Sequence, residues 1–121
     1  MMGDASHAMT PWQGSGAGQA IEDAMVLEAL LANTHHPSEL DAALQAYDAV
    51  RRLRTQRVVT SSRETGVIMC GSAPGIGLDP EKLRSSLASR WEFIHGLDVK
   101  EHKREAISAL NELLLARRDK S

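Results

Sequence analysis

Residues 3–24 read GDASHAMTPWQGSGAGQAIEDA, a glycine-rich turn that runs directly into an apolar helix. Gly14, Gly16 and Gly18 let the backbone approach a flat or phosphorylated ligand without Cβ atoms in the way. The helix that follows offers free N–H groups and the positive end of its dipole at the same point. The turn therefore suits an electron-rich or anionic group, or else is a flexible lead-in to the helix.

The spacing of these glycines does not match the common phosphate-binding motifs. A P-loop would end in Gly-Lys-Ser/Thr, and a dinucleotide fingerprint would read GxGxxG after a strand. Here the glycines follow the pattern GxGxG, and no strand is predicted in front of them. On spacing alone, a ligand-binding turn and a flexible lead-in are about equally favoured.

The first two predicted helices follow this turn. One runs from about Gly18 to Ala32 and is apolar on nearly every side, which is typical of a buried helix or of one that lacks its neighbours. We expect Asn33 to end it in a left-handed conformation. The second helix should begin at a capping box formed by Ser38 and Asp41, and should cover residues 38–70.

Two further helices are predicted in the second half of the chain. Asp79 as N-cap and Pro80 at the first helical position open a helix that should run to Gly96. Asp98 and Glu101 give a weaker capping signal for the last helix. A short apolar run around 67–69 could instead form a strand. The chain as a whole is predicted to be mainly α.

Composition excludes several classes of function. The formal net charge is −2 and only 3% of the residues are aromatic, so neither nucleic acid nor an anionic membrane surface is an expected partner. No apolar run approaches the roughly 20 residues that span a bilayer. Cys70 is the only cysteine, which favours a reducing, cytoplasmic location. The chain opens inside a polar loop, and this start leads us to expect a truncated protein.

The histidines do not show metal-ligand spacing, because there is neither an HExxH pattern nor a cysteine partner. We therefore expect no metal site, and we expect the histidines to be solvated residues of loops and helix ends. They are His7, His35, His36, His95 and His102.

A cluster of arginines between residues 51 and 57 could suggest a nucleic-acid surface. On one helix these side chains spread around the axis, and acidic Asp48 lies close to them in sequence. We therefore interpret the cluster as a solvated or ion-paired face. Its members are Arg51, Arg52, Arg54 and Arg57.

Residues 3–24 closely resemble the second flavin-binding signature of class A FAD-dependent monooxygenases, the aromatic-ring hydroxylases. The segments 46–54, 62–64 and 90–98 look like parts of salicylate hydroxylase-like members of that family. The resemblance implies the C-terminal helical portion of an α/β, Rossmann-type FAD-binding fold whose N-terminal βαβ unit is missing from this chain.

The resemblance also implies how the chain is organised. Residues 1–24 would form the flavin-contacting Gly-Asp loop and the start of the first helix. Residues 38–70 would form the long helix behind the flavin, and residues 79–118 would form the C-terminal helices. All three segments would belong to one FAD-binding domain that covers residues 1–121.

The family's cofactor-binding residues carry over to five matching positions. Asp4 would bind the ribityl hydroxyls of FAD, and Pro11 would lie near the flavin carbon that reacts with oxygen. Gly16, Ala17 and Gly18 would present backbone N–H groups to the flavin ring, where negative charge develops on reduction. No catalytic side chain is expected, because the cofactor performs the chemistry.

The resemblance implies a fragment of an NAD(P)H-using, FAD-containing monooxygenase that hydroxylates a small aromatic acid or phenol. We expect the fragment to be inactive alone, since nothing in it can hold the adenosine or the pyrophosphate of FAD. The alternative is a non-catalytic small helical protein whose exposed apolar first helix binds a partner or mediates self-association. Flavin absorbance of the purified chain separates the two hypotheses.

Overall fold

The computed structural model describes residues 1–119, and the described part of the chain contains helices and turns but no strand. The mainly α prediction is therefore confirmed. Short 3-10 turns lie at Pro11–Gln13 and Pro37–Glu39. The helices are α1 (Asp4–His7), α2 (Gly16–Ala32), α3 (Leu40–Met69), α4 (Pro80–Leu87), α5 (Glu92–His95) and α6 (Val99–Arg118).

The chain divides into two compact units. The first unit comprises Met1–Gln19 together with Thr55–Leu97, and the second comprises Ala20–Arg54 together with the segment that begins at Asp98. The first unit contains the glycine-rich turn, and the second contains an apolar core. Among residues 1–119, no helix combines the length and the apolar character that crossing a membrane would require.

The core of the second unit lies where α2, the first half of α3 and α6 meet. Alanines on α3 leave room for bulkier side chains on the other two helices, and such close packing is what stabilises a helical core. Its buried members are Val26, Leu30, Ala42, Ala43, Ala46, Tyr47, Ala106 and Leu110. Fully burying one Leu or Val side chain contributes about 1.5–3 kcal/mol.

Two of the predicted helix starts are confirmed by hydrogen bonds. The Asp79 carboxylate accepts the N–H groups of Glu81 at 3.1 Å and Lys82 at 2.9 Å, with Pro80 in the first helical position of α4. Asp98 accepts the N–H of Glu101 at 3.0 Å at the start of α6. These caps are local, so the sequence signal for them is direct.

The start of α3 differs from the prediction. Glu39, rather than the Ser38 and Asp41 pair, accepts the backbone N–H groups of His35 at 2.9 Å and His36 at 3.2 Å. Hydrogen bonds from these two N–H groups outweigh desolvation and hold the pKa of the Glu39 carboxyl below its usual value. Asp41 is already one residue inside the helix.

Helix α2 ends at Ala32 as predicted, but the way in which its end is capped was predicted wrongly. No residue other than glycine has a positive φ in the described part of the chain, so Asn33 is not left-handed. Its Nδ2 instead donates to the carbonyl of Ala29 at 2.8 Å, and Thr34 Oγ1 donates to that of Leu30 at 2.9 Å. Side-chain donors thus satisfy the terminal carbonyls that a left-handed cap would have satisfied.

The predicted helix from Asp79 to Gly96 is interrupted. Helix α4 ends at Leu87, residues 88–91 form turns, and α5 begins at Glu92. In a continuous helix the Arg90 carbonyl would accept a bond from residue 94, but here it accepts Gln13 Nε2 at 3.1 Å. A bond to a distant residue therefore accompanies the break. The alternative of a strand at 67–69 is wrong, because these residues lie in α3.

Candidate functional site

The five predicted cofactor-binding residues all lie in the first unit and are exposed or half-exposed. Asp4 is the first residue of α1, and Pro11 is the first residue of the 3-10 turn. Gly16, Ala17 and Gly18 are the first three residues of α2.

The start of α2 has backbone donors that are not used within the helix. The first intrahelical bond at this end runs from Gln19 N–H to Ser15 O at 2.9 Å. The N–H groups of Gly16, Ala17 and Gly18 therefore have no partner in the helical ladder. A Cβ atom added at Gly16 or Gly18 would meet no atom within 4 Å. This arrangement fits the edge of a flat, electron-rich ligand.

The polypeptide before α2 is held in place by a serine on α3. Ser62 is fully buried, and its Oγ donates to the carbonyl of Thr10 at 2.6 Å. Thr10 Oγ1 lies 3.1 Å from the same hydroxyl. Because Thr10 directly precedes Pro11, these contacts fix the backbone that positions the proline.

Gln13 links the same loop to the turn between α4 and α5. Its Nε2 donates to Arg90 O at 3.1 Å, and Trp91 Nε1 donates to Gln13 O at 3.2 Å. Ser15 Oγ donates to the same Gln13 carbonyl at 3.1 Å. Gln13 Oε1 is buried and has no hydrogen-bond partner among the described residues. Buried acceptors usually have a hydrogen-bond partner, so Gln13 Oε1 is suited to accept a hydrogen bond from a group that is not among the described residues.

Arg90 anchors that turn to α3. Its guanidinium donates to Thr65 Oγ1 at 2.8 Å, to Ser61 O at 3.2 Å and to Glu64 at 2.6 Å. The positive charge of Arg90 therefore holds the turn between α4 and α5 in position within the first unit. With Ser62 and Gln13, Arg90 completes a set of polar contacts that we call the loop clamp.

Trp12 packs against Gly66 on α3. A Cβ atom at residue 66 would clash with the indole of Trp12, so only glycine allows the indole to lie in this position. A glycine inside an otherwise regular helix is a sequence signal for such close packing, and this signal was missed. Ser62, Gln13 and Arg90 were also missed, and no local pattern marks them.

A buried charge network lies in the second unit. Arg51 is buried, and it pairs with Asp23 at 2.8 Å and with Glu22 at 2.7 Å, while Arg54 also pairs with Glu22 at 2.7 Å. Burial of Glu22 opposes ionisation, but hydrogen bonds and charge from Arg54 and Arg51 prevail and hold its pKa below the usual value. The ion-paired interpretation of this arginine cluster is confirmed for both arginines.

His102 and Tyr47 adjoin this network. Arg51 NH1 lies 3.2 Å from His102 Nε2, so Nε2 must accept, and the proton belongs on Nδ1, which is 3.3 Å from Glu105. Burial and the charges of Arg51 and Arg54 lower the pKa of His102. Burial and the neighbouring Asp23 raise the pKa of Tyr47 to about 12.

Two of the histidines do not match the solvated interpretation. Only 3% of the surface of His7 and 8% of the surface of His102 is exposed to solvent, so the prediction was wrong for both. A histidine near a helix end can be buried when the neighbouring elements cover it, and sequence position alone does not show this. In residues 1–119, no group of three or more His, Cys, Asp or Glu side chains could hold a metal ion.

Comparison with known proteins gives the class of this chain. The FAD binding domain family matches residues 1–62, which include the glycine-rich turn and the Ser62 contact. The chain belongs to this family.

The relatives resemble nearly the whole chain. The 6-methylsalicylate 1-monooxygenase of Aspergillus terreus is 39% identical over 94% of this chain and 26% of its own length. A salicylate hydroxylase of Pseudomonas putida is 42% identical over 82% of this chain and 24% of its own length. A solved structure, a salicylate hydroxylase substrate complex, is 43% identical, with a TM-score of 0.82 over 87% of this chain and 26% of that protein. The chain thus spans about a quarter of the length of these relatives and corresponds to a helical part of their fold.

Proposed function

We propose that this chain provides the flavin-facing turn of an FAD-dependent monooxygenase that uses NAD(P)H to hydroxylate a small aromatic acid or phenol. The observation that carries the proposal is the start of α2, whose first N–H groups have no partner in the helical ladder and which follows a loop fixed by hydrogen bonds to α3. The names of the relatives support the same class of reaction, since two of them are called salicylate hydroxylases.

Each predicted residue has a role that this geometry allows. The exposed Asp4 carboxylate would accept hydrogen bonds from ribityl hydroxyls. Gly16, Ala17 and Gly18 would donate backbone N–H groups to the edge of the flavin ring. Pro11 would form a rigid apolar wall that excludes water. The bound FAD would supply the redox chemistry that transfers an oxygen atom to the ring.

We further propose that the chain by itself binds FAD weakly and does not turn over. The described residues contain no strand, and so no GxGxxG turn after a strand that could hold the pyrophosphate. Each contact worth about 1.4 kcal/mol changes the affinity tenfold, so loss of the adenosine and pyrophosphate contacts should prevent retention during purification. We place the protein in the cytoplasm, because its one cysteine, Cys70, is exposed and has no disulfide.

The test is a titration of the purified chain with FAD, followed by flavin fluorescence. Asp4→Ala should weaken binding by about 1.5–3 kcal/mol, the value of a hydrogen bond to a charged group. Asp48→Ala is the matched control, because it removes the same carboxylate from an exposed position on α3. Equal affinities of the two variants would remove Asp4 from the site, and stoichiometric FAD in the purified chain would contradict weak binding.

A second candidate function is a non-catalytic helical protein that self-associates through α2. The supporting observation is a set of three exposed apolar residues at positions 21, 24 and 31 on one face of that helix, a face that also carries the ion-paired Glu28. Ile21 is 61% exposed and Leu31 is 44% exposed, with exposed Ala24 between them. Light scattering tests this candidate: a strictly monomeric chain would contradict it, and so would an Ile21→Lys variant that self-associates as strongly as the native chain.

A further inference from the structure

A groove lies in the first unit, outside the predicted cofactor-binding residues. It has a volume of about 530 Å³ and is bounded by the second half of α3 and by residues 89–93. This size falls within the range of about 300–1,000 Å³ that is typical of small-molecule sites. Its uncharged polar lining consists of Gln56, Thr60, Ser61 and Ser89.

The charged residues of the groove leave one arginine available. Glu64 and Arg90 pair at 2.6 Å and largely offset each other. Arg57 is exposed, and none of the carboxylates in residues 1–119 pairs with it. It differs in this respect from Arg51, Arg52 and Arg54, which all form ion pairs. The groove therefore carries one uncompensated positive charge.

The guanidinium of Arg57 is held in a defined position. Its Cζ lies over the Phe93 ring at 4.1 Å from the ring centroid, which is a cation–π contact. No carboxylate among residues 1–119 occupies the N–H edge of Arg57, and that planar edge matches the two oxygens of a carboxylate or phosphate. Hydroxyl and amide groups from the lining can donate to the same oxygens.

We propose that this groove binds the oxyanion group of a small ligand, either a carboxylate or a phosphate, on the N–H edge of Arg57. Phe93 acts as a positioning residue, because it orients the guanidinium and makes no charged contact with the oxyanion. The site is separate from the FAD-binding proposal and needs no flavin.

The primary test is an NMR titration of the arginine Nε–Hε signals of the native chain. Arg57→Lys keeps the charge and removes the Nε–Hε group, so the signal it abolishes is that of Arg57. Sodium benzoate and inorganic phosphate are the two probes, titrated at constant ionic strength. A saturable shift of the Arg57 signal with benzoate alone identifies a carboxylate site, and a shift with phosphate alone identifies a phosphate site. A shift with both supports a general oxyanion site, and a shift with neither overturns the proposal.

A pair of variants distinguishes binding at this groove from non-specific attraction to the positive charge of the chain. Arg57→Gln should weaken binding of the effective probe by roughly tenfold or more, as expected for loss of a charge-assisted hydrogen bond. Arg63→Gln removes the same charge from an exposed residue of α3 that does not line the groove, and should change binding less than about threefold. Equal weakening by the two variants overturns the proposal. Phe93→Leu should weaken binding while leaving the charge in place.

Discussion

The two units of this chain bury different kinds of side chain. The second unit buries mainly apolar residues, which are Val26, Ala29, Leu30, Ala42, Ala43, Ala46, Tyr47, Ala106 and Leu110. The first unit buries few apolar residues, chiefly Val58 and Ile68. Most of its buried side chains are polar, namely His7, Gln13, Ser15, Gln19, Thr55, Ser62 and Thr65.

This difference indicates that one kind of burial mainly stabilises a unit, whereas the other mainly positions particular atoms. Apolar burial has no preferred direction and grows with area, so it stabilises a unit without fixing any one atom. A hydrogen bond contributes only about 1 kcal/mol net, but it fixes the distance and angle of its partners. The loop clamp in the first unit therefore sets where the glycine-rich turn lies, and we expect the second unit to contribute more to the free energy of unfolding.

The largest effect is expected at the buried charge of the second unit. Arg51→Ala leaves the buried Asp23 carboxylate without its cation, and removal of one partner of a buried pair costs about 3–5 kcal/mol. Urea unfolding followed by far-UV circular dichroism measures this loss. Arg52→Ala is the control, since Arg52 pairs with Asp48 on the surface and such pairs contribute about 0.3–0.5 kcal/mol. Similar losses in the two variants would contradict the burial of this network.

A smaller effect is expected at the loop clamp. Ser62→Ala removes the hydroxyl that donates to Thr10 O, and should cost about 1 kcal/mol. The more specific result is local: hydrogen exchange of the Gly14 amide, which donates to Pro11 O at 3.0 Å, should accelerate while α6 stays protected. Ser85→Ala, at an exposed serine of α4, provides the control. Unchanged exchange in the loop would show that Ser62 does not position it.

The smallest effect is a dependence of stability on pH. The pKa of His102 is lowered in the folded chain, mainly by burial, from its ordinary value of 6.5. As the pH falls below this value, the unfolded chain takes up a proton that the folded chain resists, so stability should decrease from about pH 6.5 downward.

His102→Gln tests this dependence. The glutamine can still accept a bond from Arg51 but does not titrate, so the variant should lose less stability than the native chain on going from pH 7 towards the folded-state pKa. Parallel pH profiles of unfolding for the two proteins would exclude His102 as the source.

Local signals in the sequence predicted much of the fold. Apolar composition and periodicity located α2, α3 and α6, and Asp79-Pro80 and Asp98 marked the starts of α4 and α6 correctly. The glycine-rich turn was also recognised, and its last glycines do open α2. These features depend on residues within one or two turns of each other, so composition and spacing are enough to predict them.

Non-local contacts account for what the sequence did not reveal. Thr10 meets Ser62, which is 52 positions away, and Gln13 meets Arg90, which is 77 positions away. No spacing rule links such residues, because their meeting depends on how the helices pack. The same packing buries Arg51 and His102, and it accompanies the break between α4 and α5. The sequence by itself determined which segments are helical and where the donor-rich turn lies, since hydrogen bonding and periodicity in helices are local. Only the tertiary structure decided which polar side chains hold that turn and which charges are buried.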